Sequence, residues 1–417
     1  MASPTPCVCM ATRSAACAFE PIDATRRPLG ARDVLLELAH CGVCHSDVHA
    51  AAGHLRALLG APAYPLVPGH ELAGTVVAIG AGVTRFAVGD RCGVGCVVDA
   101  CLRCARCLAG EEHACARGMV GTYGDEDRHG RAGTWPSGGR TMGGYATHHV
   151  VDERFGIRVP VGYPTEAAGP AMCAGVTVYD PMKRYGVGEG SAVGVIGLGG
   201  LGVMAVKIAR AMGASEVVVV SRSEAKRTLA LRCGATAFAR SDDADAMRRA
   251  RGTLDLILNT VPVAHDYLRF QDLLKKRERG RPRAKQVVLG LHSGLVAGMA
   301  ARAVRGKNSP IVASGIGGIR ATQEVLDLCA AHDIVPELRI LPVSRLTEIY
   351  EALDSGNDSG VRYVLDIAAM AADVRAGRVD ALRTSGPPRL ALADRNAFSP
   401  RGVLRDVARL FCGCRVC

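Results

Sequence analysis

Four cysteines within fifteen residues, Cys101, Cys104, Cys107 and Cys115, constrain this chain more than any other feature. Their spacing, C-x2-C-x2-C-x7-C, lets four thiolates close on one small lobe. That donor set suits a tetrahedral structural zinc and leaves no position open for water. The competing fate of so many thiols is a disulfide framework. The chain carries 17 cysteines, but its opening residues, MASPTPCVCMATRSAACAF, lack a charged segment followed by a long apolar one. No secretory signal is read there, so reduced thiols, metal ligation and a cytoplasmic setting are expected. The longest uncharged stretch, Gly190 to Val206, is glycine-rich and does not read as a membrane span.

A second set of metal-ligand types is dispersed. Cys44 lies in CGVCHSDVH, His70 and Glu71 in PGHELAG, and Cys173 in AMCAGVTVY. Two thiolates and one imidazole leave a fourth zinc position for water, substrate or the Glu71 carboxylate, which describes an open, catalytic site. Asp47 is placed to accept a hydrogen bond from the non-ligating nitrogen of His70 and so fix its ring. Spacing alone does not bring Cys173 beside Cys44.

A third signal is VIGLGGLG, in which Gly197, Gly199 and Gly202 form GxGxxG between a strand and a helix. Glycines there allow a tight turn and close approach of a pyrophosphate to the helix N-terminus. About 19 residues further on, an NAD enzyme places an acidic residue for the ribose hydroxyls. This chain instead reads Ser221-Arg222-Ser223-Glu224-Ala225-Lys226. Hydroxyls with Arg222 and Lys226 suit a 2′-phosphate, so NADP(H) is the expected cofactor, with Glu224 one turn into the following helix.

These motifs sit in two styles of sequence. Short apolar runs broken by Gly and Pro dominate up to about Val161 and read as β-strands. From about Val176 to Ser314, buried-strand runs such as SAVGVIG, EVVVVS, LDLILNT and KQVVLGL alternate with helical stretches. That is the βαβ pattern of a doubly wound parallel sheet. A chain of 417 residues has room for two such domains. The formal charge of +11 is concentrated in Lys275–Lys285 and in the residues from Ala368 onward, so the remainder is neutral. Aromatics make up only 4%, with one tryptophan, which weakens any case for stacking on nucleic-acid bases.

Taken together, the chain resembles the medium-chain, zinc-containing alcohol dehydrogenases, in particular their cinnamyl alcohol dehydrogenase and NADPH aldehyde reductase branch. The motifs that carry the resemblance are CGVCHSDVH, YPLVPGHELAGTV, VGDRCGVGC, the four-cysteine lobe, GGYATHHVVDERF, CAGVTVY, GVIGLGGLG, SGIGG and TQEVLDLCA, in family order from about Met10 to Ile367. The resemblance implies an α/β protein: a Rossmann doubly wound parallel sheet plus a GroES-like, mostly-β catalytic domain. Residues 10–173 are expected to form the catalytic domain with its zinc lobe at 101–115, residues 174–317 the NADP-binding domain, and residues 318–367 a return to the catalytic domain. Residues 368–417 are expected to be an unassigned, disordered extension.

By the same resemblance, Cys44, His70 and Cys173 hold a catalytic zinc, with Glu71 exchanging with water or substrate. With the structural site this makes two zinc ions per chain. Ser46 resembles the hydroxyl that bonds the zinc-bound alcohol, and His49 the end of a proton relay through the cofactor ribose. Thr177, the loop Gly197, Leu198, Gly199, Gly200, Leu201 and Gly202, then Ser221, Arg222, Ser223, Lys226, Thr260, Gly290, Ser314, Gly315 and Ile316 stand where the family contacts NADP. The implied activity is hydride transfer between NADP(H) and an aldehyde or primary alcohol, in a homodimer.

The stretch from His49 to Tyr64 is longer than the family's and lacks its tryptophan, and the tail FCGCRVC has no family counterpart. The sequence admits two rival readings. One is a polyol or sugar-alcohol dehydrogenase of the same superfamily. The other is a zinc-containing nucleic-acid binder, suggested by Arg279-Gly280-Arg281-Pro282, which resembles a minor-groove hook. A solvated basic loop between a Rossmann helix and strand is the strongly favoured account of that segment.

Overall fold

The computed structural model describes residues 3–54, 62–128, 139–262, 265–276, 284–289, 309–356 and 360–390. Two compact units emerge. One gathers residues 1–173, 317–357 and 361–391, and the other is built on residues 174–316.

The first unit is mostly β. Its spine is the strand Asp33–Val43, whose DVLLELAHCGV is apolar enough to be buried on both faces. Leu72–Ile79 and His148–Asp152 pair with it antiparallel. Arg362–Asp366 also joins it antiparallel, and Leu338–Leu341 then extends the sheet in parallel. On the other side, Leu72–Ile79 pairs with Arg91–Val94. A hairpin of Thr5–Thr12 and Phe19–Arg26 covers the core. Phe19 stacks edge-on against Tyr350 at 5.0 Å and against Tyr145 at 6.1 Å, the ring geometry that aromatic quadrupoles favour. The hairpin begins at Thr5, so the unit reaches past the expected start at residue 10.

The expectation of an unstructured extension from residue 368 is corrected over its first part. Ile367–Arg375 is a helix, capped by the Asp366 carboxylate accepting from Ala369 N at 2.8 Å. Ile367, Met370 and Ala371 are buried in the core of this unit, as is Leu382. Their i, i+3, i+4 spacing is helical. Only a turn and a half carries it, against an Ala- and Arg-rich background, so its meaning depends on the strand Asp33–Val43 that it packs against. Residues 391–417, including the Cys-rich tail, lie outside the described residues.

The second unit contains a six-stranded sheet, parallel throughout. Its spatial order is Ala237–Arg240, Glu216–Ser221, Ala192–Ile196, Leu256–Asn259, Lys285–Val288 and Ile311–Ala313. The third, second and first strands are followed by the fourth to sixth, so the order reverses beside Ala192–Ile196. Ligands of doubly wound sheets bind at that reversal, outside the carboxyl ends of the strands. No helix among the described residues is long and apolar enough to cross a membrane.

One buried group in the first unit makes stability pH-dependent. His149 is 4% exposed, and neither ring nitrogen has a partner among the described residues. Burial, reinforced by Arg26 and Arg27, holds its pKa well below the ordinary histidine value. Below about pH 6.5 the unfolded chain binds a proton at this residue that the folded one refuses, so stability falls with falling pH. For a histidine that stays neutral in the folded state throughout, the penalty between pH 7.5 and 5.5 is at most about 1.4 kcal/mol. In urea titrations at those two pH values, His149→Phe should lose less stability on acidification than the parent, by up to that amount. Equal losses would show that the imidazole is not excluded from protonation.

Candidate functional site

The helix His45–Ala51 starts at Cys44, whose extended backbone aims its thiol into the first unit. Asp47, three residues on, turns back: its Oδ2 accepts from Cys44 N at 2.9 Å. Its Oδ1 accepts from Gly69 N at 3.2 Å and stands 2.9 Å from His70 Nδ1. Tyr145 OH donates to Oδ2 at 3.3 Å. Asp47 is fully buried, and this one carboxylate fixes both the Cys44 turn and the His70 ring. With Nδ1 engaged, His70 Nε2 is left to face Cys173 Sγ at 3.2 Å.

Cys173 arrives from a helix. Thr165–Pro170 leads into a π-turn at Ala171–Gly175 that contains it. Pro170 lacks the N–H that regular α-helical bonding requires, and single π-turns of this kind often carry functional side chains. Ligand atoms of Cys44, His70, Glu71 and Cys173 all lie within 4.8 Å of one another, and all four residues are buried. Two soft sulfurs, one oriented imidazole nitrogen and a nearby carboxylate fit a zinc ion with an open position.

Two residues at this site were missed from the sequence. Arg362, on the strand Arg362–Asp366, holds the Glu71 carboxylate with two nitrogens, Nε to Oε2 at 3.1 Å and Nη2 to Oε1. Both side chains are buried. Glu71 Oε1 remains 3.9 Å from His70 Nε2. Cys96 is the other. Two residues past the end of the strand Arg91–Val94, the Cys96 thiol lies within hydrogen-bonding reach of Cys173 and His70. The VGDRCGVGC motif contained this thiol, but only the folded chain sets it beside the metal ligands.

The electrostatics of the cluster favour proton loss from two of its thiols at the expense of the third. A hydrogen bond from Cys173 holds Cys44 well below the usual thiol range against the cost of burial, helped by Arg362 and His70. The same Cys173 bond holds Cys96 down at about 6. Cys173, which donates to both, is raised. Burial works against charge on His70, yet Cys96 and Asp47 raise its pKa. A cation in this pocket would displace these shared protons, because zinc binds the deprotonated forms.

The four-cysteine lobe forms as its spacing implies. Cys101, Cys104, Cys107 and Cys115 place their sulfurs within 4.8 Å of one another. Cys101 Sγ and Cys107 Sγ are 3.8 Å apart, and Cys104 Sγ and Cys107 Sγ 3.6 Å. A tetrahedron with Zn–S bonds of about 2.3 Å has edges of about 3.8 Å, so a zinc fits. Backbone N–H groups of Cys101 and Arg117 each point at Cys115 Sγ at 3.4 Å, favouring its thiolate.

In the second unit the glycine loop has the shape a pyrophosphate needs. Gly197 has φ +87°, a conformation that side chains disfavour. A Cβ on Gly202 would collide with the carbonyl of Gly197, whereas one on Gly199 would meet nothing within 4 Å. Gly199 caps the helix Gly200–Ala211, which contains Leu201, and the space beside it is open. Leu198 is buried under the loop. Thr260 Oγ1 donates to Ile196 O at 3.0 Å and Gly197 O at 3.2 Å, bracing the turn. Thr177 Oγ1 donates to Gly315 O at 3.3 Å, beside Ser314 and Ile316.

Ser221 ends its strand, and its Oγ accepts from Ser223 N at 3.3 Å. Arg222 is exposed and Lys226 half-buried. Glu224 is engaged by Arg227, with Oε2 3.3 Å from Nη2. Gly290 and Arg279–Pro282 lie outside the described residues.

Comparison with known proteins decides the family. Residues 30–161 match the alcohol dehydrogenase GroES-like domain, and residues 200–331 match the zinc-binding dehydrogenase domain. The NADP-dependent alcohol dehydrogenase C 1 of Mycolicibacterium smegmatis is 42% identical over 361 residues, covering 86% of this chain and 97% of the relative. The chain belongs to the zinc-binding alcohol dehydrogenases. Among other members of that family, the aldehyde reductase YahK of Escherichia coli is 40% identical over 84% of this chain and 94% of its own length. A cinnamyl alcohol dehydrogenase structure from Sorghum bicolor, 36% identical, superposes with a TM-score of 0.75 over 87% of this chain and 98% of that one. The mostly-β unit and the doubly wound sheet are the GroES-like and Rossmann domains of this zinc-binding dehydrogenase family.

Proposed function

We propose that this alcohol dehydrogenase interconverts aldehydes and primary alcohols with NADP(H), acting as an aldehyde reductase, with Cys44, His70 and Cys173 holding a catalytic zinc. The observation that carries the reading is the buried Cys44–His70–Glu71–Cys173 cluster, whose ligand atoms lie within 4.8 Å of one another. When bound, zinc supplies Lewis acidity toward a carbonyl oxygen and NADPH supplies a hydride. Asp47 keeps His70 Nε2 presented, and Arg362 keeps Glu71 at the edge of the cluster, where it exchanges with water or substrate. Ser46 Oγ, 3.5 Å from Cys44 Sγ, carries the proton that the product oxygen needs. His49 lies three residues along the same helix and restores that proton. Ser221, Arg222, Ser223 and Lys226 receive the 2′-phosphate. The names of the relatives favour this reading over a polyol dehydrogenase.

NADPH consumption measured against a panel of aliphatic and aromatic aldehydes tests the activity. Turnover of several aldehydes supports the reading, and turnover confined to polyols with NADP would replace it. Metal analysis should return two zinc ions per chain, one of them resisting mild chelation. One ion or none in well-folded protein would remove the two-site assignment. Cys104→Ser should impair folding, because a structural zinc contributes folding free energy directly.

A homodimer is also proposed. Ile311–Ala313 ends the parallel sheet among the described strands, and an unpaired edge is a template for pairing with a second copy. Light scattering at micromolar concentration should give twice the chain mass, and the mass of one chain would refute it.

A further inference from the structure

His49 is packed between two other imidazoles. His49 sits one turn after His45 on the helix His45–Ala51, their rings stacked at 4.5 Å and 11°. At Gly53, with φ +68°, the chain folds back, so that His54 N donates to His49 O at 2.9 Å. The His54 ring then lies against His49, with Nδ1 to Nδ1 at 3.1 Å. His49 is 1% exposed and His54 6%. Tyr64 braces the turn, its hydroxyl donating to Ala51 O at 2.7 Å.

Two imidazole nitrogens at that separation are hydrogen-bonded only if one carries a proton and the other a lone pair. The pair therefore shares one proton between its Nδ1 atoms, and each ring retains an Nε2. We propose that His54 is a relay residue: the step beyond His49 by which protons reach and leave the active-site end of this helix. In the reductive direction His54 takes up a proton at Nε2, a nitrogen shielded from bulk solvent in the resting fold, and the shared proton moves from His54 Nδ1 to His49 Nδ1. His49 then releases its own proton from Nε2 toward Ser46. One proton enters and one leaves, both rings are neutral before and after, and only their tautomers exchange. No electrons move. The shared proton gives the pair a direction that a lone buried histidine lacks.

The inference rests on the relay role of His49, so the experiment separates the two. Kinetics of the zinc-loaded enzyme with NADPH and a reactive aldehyde are compared for His49→Asn, His54→Asn and His54→Glu. Asparagine keeps a hydrogen-bonding group near Nδ1 but does not conduct a proton, whereas glutamate does. His54→Asn is expected to lower kcat roughly ten- to a hundredfold. The KM for NADPH and the zinc content should stay unchanged. The lost rate should return as the concentration of a non-ligating weak-acid buffer is raised, with no such dependence in the parent enzyme. His54→Glu should keep most of kcat. If His49→Asn slows turnover and His54→Asn does not, the relay stops at His49 and this proposal is overturned while the reading beneath it stands. If neither slows it, the relay reading fails and the proposal with it. A slow His54→Asn that buffer does not rescue, or an equally slow His54→Glu, would assign His54 a packing role and overturn the proposal.

Discussion

Replacing Arg222 with glutamine should raise the KM for NADPH on the order of ten- to a hundredfold, because one charge-assisted contact to phosphate contributes roughly 1.5–3 kcal/mol. The KM for NADH should barely move, since NADH has no 2′-phosphate to lose. Ser221 ends the strand Glu216–Ser221, where dinucleotide folds place their ribose-binding acid. Ser221→Asp should therefore go further and invert the preference, repelling phosphate and accepting the ribose hydroxyls. Glu224 is the competing group, and its engagement by Arg227 supports the basic reading of this loop. Initial rates of the unmodified enzyme against both cofactors are the check. Equal efficiency with NADH would mean that Glu224, and not Arg222 with Lys226, governs the site.

Replacing Arg362 with methionine should cost about 3–5 kcal/mol of stability, the range for breaking a buried ion pair from one side. The guanidinium and the Glu71 carboxylate are both shielded from water, with side-chain exposures of 9% and 0%. Removing the cation leaves a carboxylate in a dry interior without its counter-charge. Urea unfolding followed by circular dichroism at fixed zinc should show the midpoint fall. Adding Glu71→Gln should recover part of the loss, because the stranded charge is then gone. A single variant as stable as the parent would show that water reaches Glu71. It would also weaken the view that Arg362 restrains this carboxylate beside the metal ligands.

Arg222 and Arg362 differ in how plainly the sequence marks them. Ser221, Arg222, Ser223 and Lys226 follow the GxGxxG loop at a fixed chain distance, so their likeness to a phosphate site was legible without coordinates. The Glu71–Arg362 pair spans 291 positions, and nothing local to Arg362 marks it as buried. In VRYVLDIA it reads as the polar start of a strand. The helix Ile367–Arg375 stayed hidden for a related reason: three apolar positions are too few to stand out until a sheet is present to receive them.

What the sequence determined by itself is local chemistry. The four-cysteine lobe closes within fifteen residues, so its spacing nearly is its geometry. The glycine loop follows the same logic, because a tight turn and the helix start beside it involve only adjacent residues. Tertiary structure alone decided the rest. The bend after the strand Arg91–Val94 brought Cys96 beside Cys173 and His70, and a π-turn after Pro170 delivered Cys173 to within 3.2 Å of that ring. The fold-back at Gly53 set His54 against His49. The physical reason is common to all of these. Contacts between distant segments depend on how sheets pair and pack, which no single segment encodes, whereas a turn or a compact metal lobe depends only on the residues that form it.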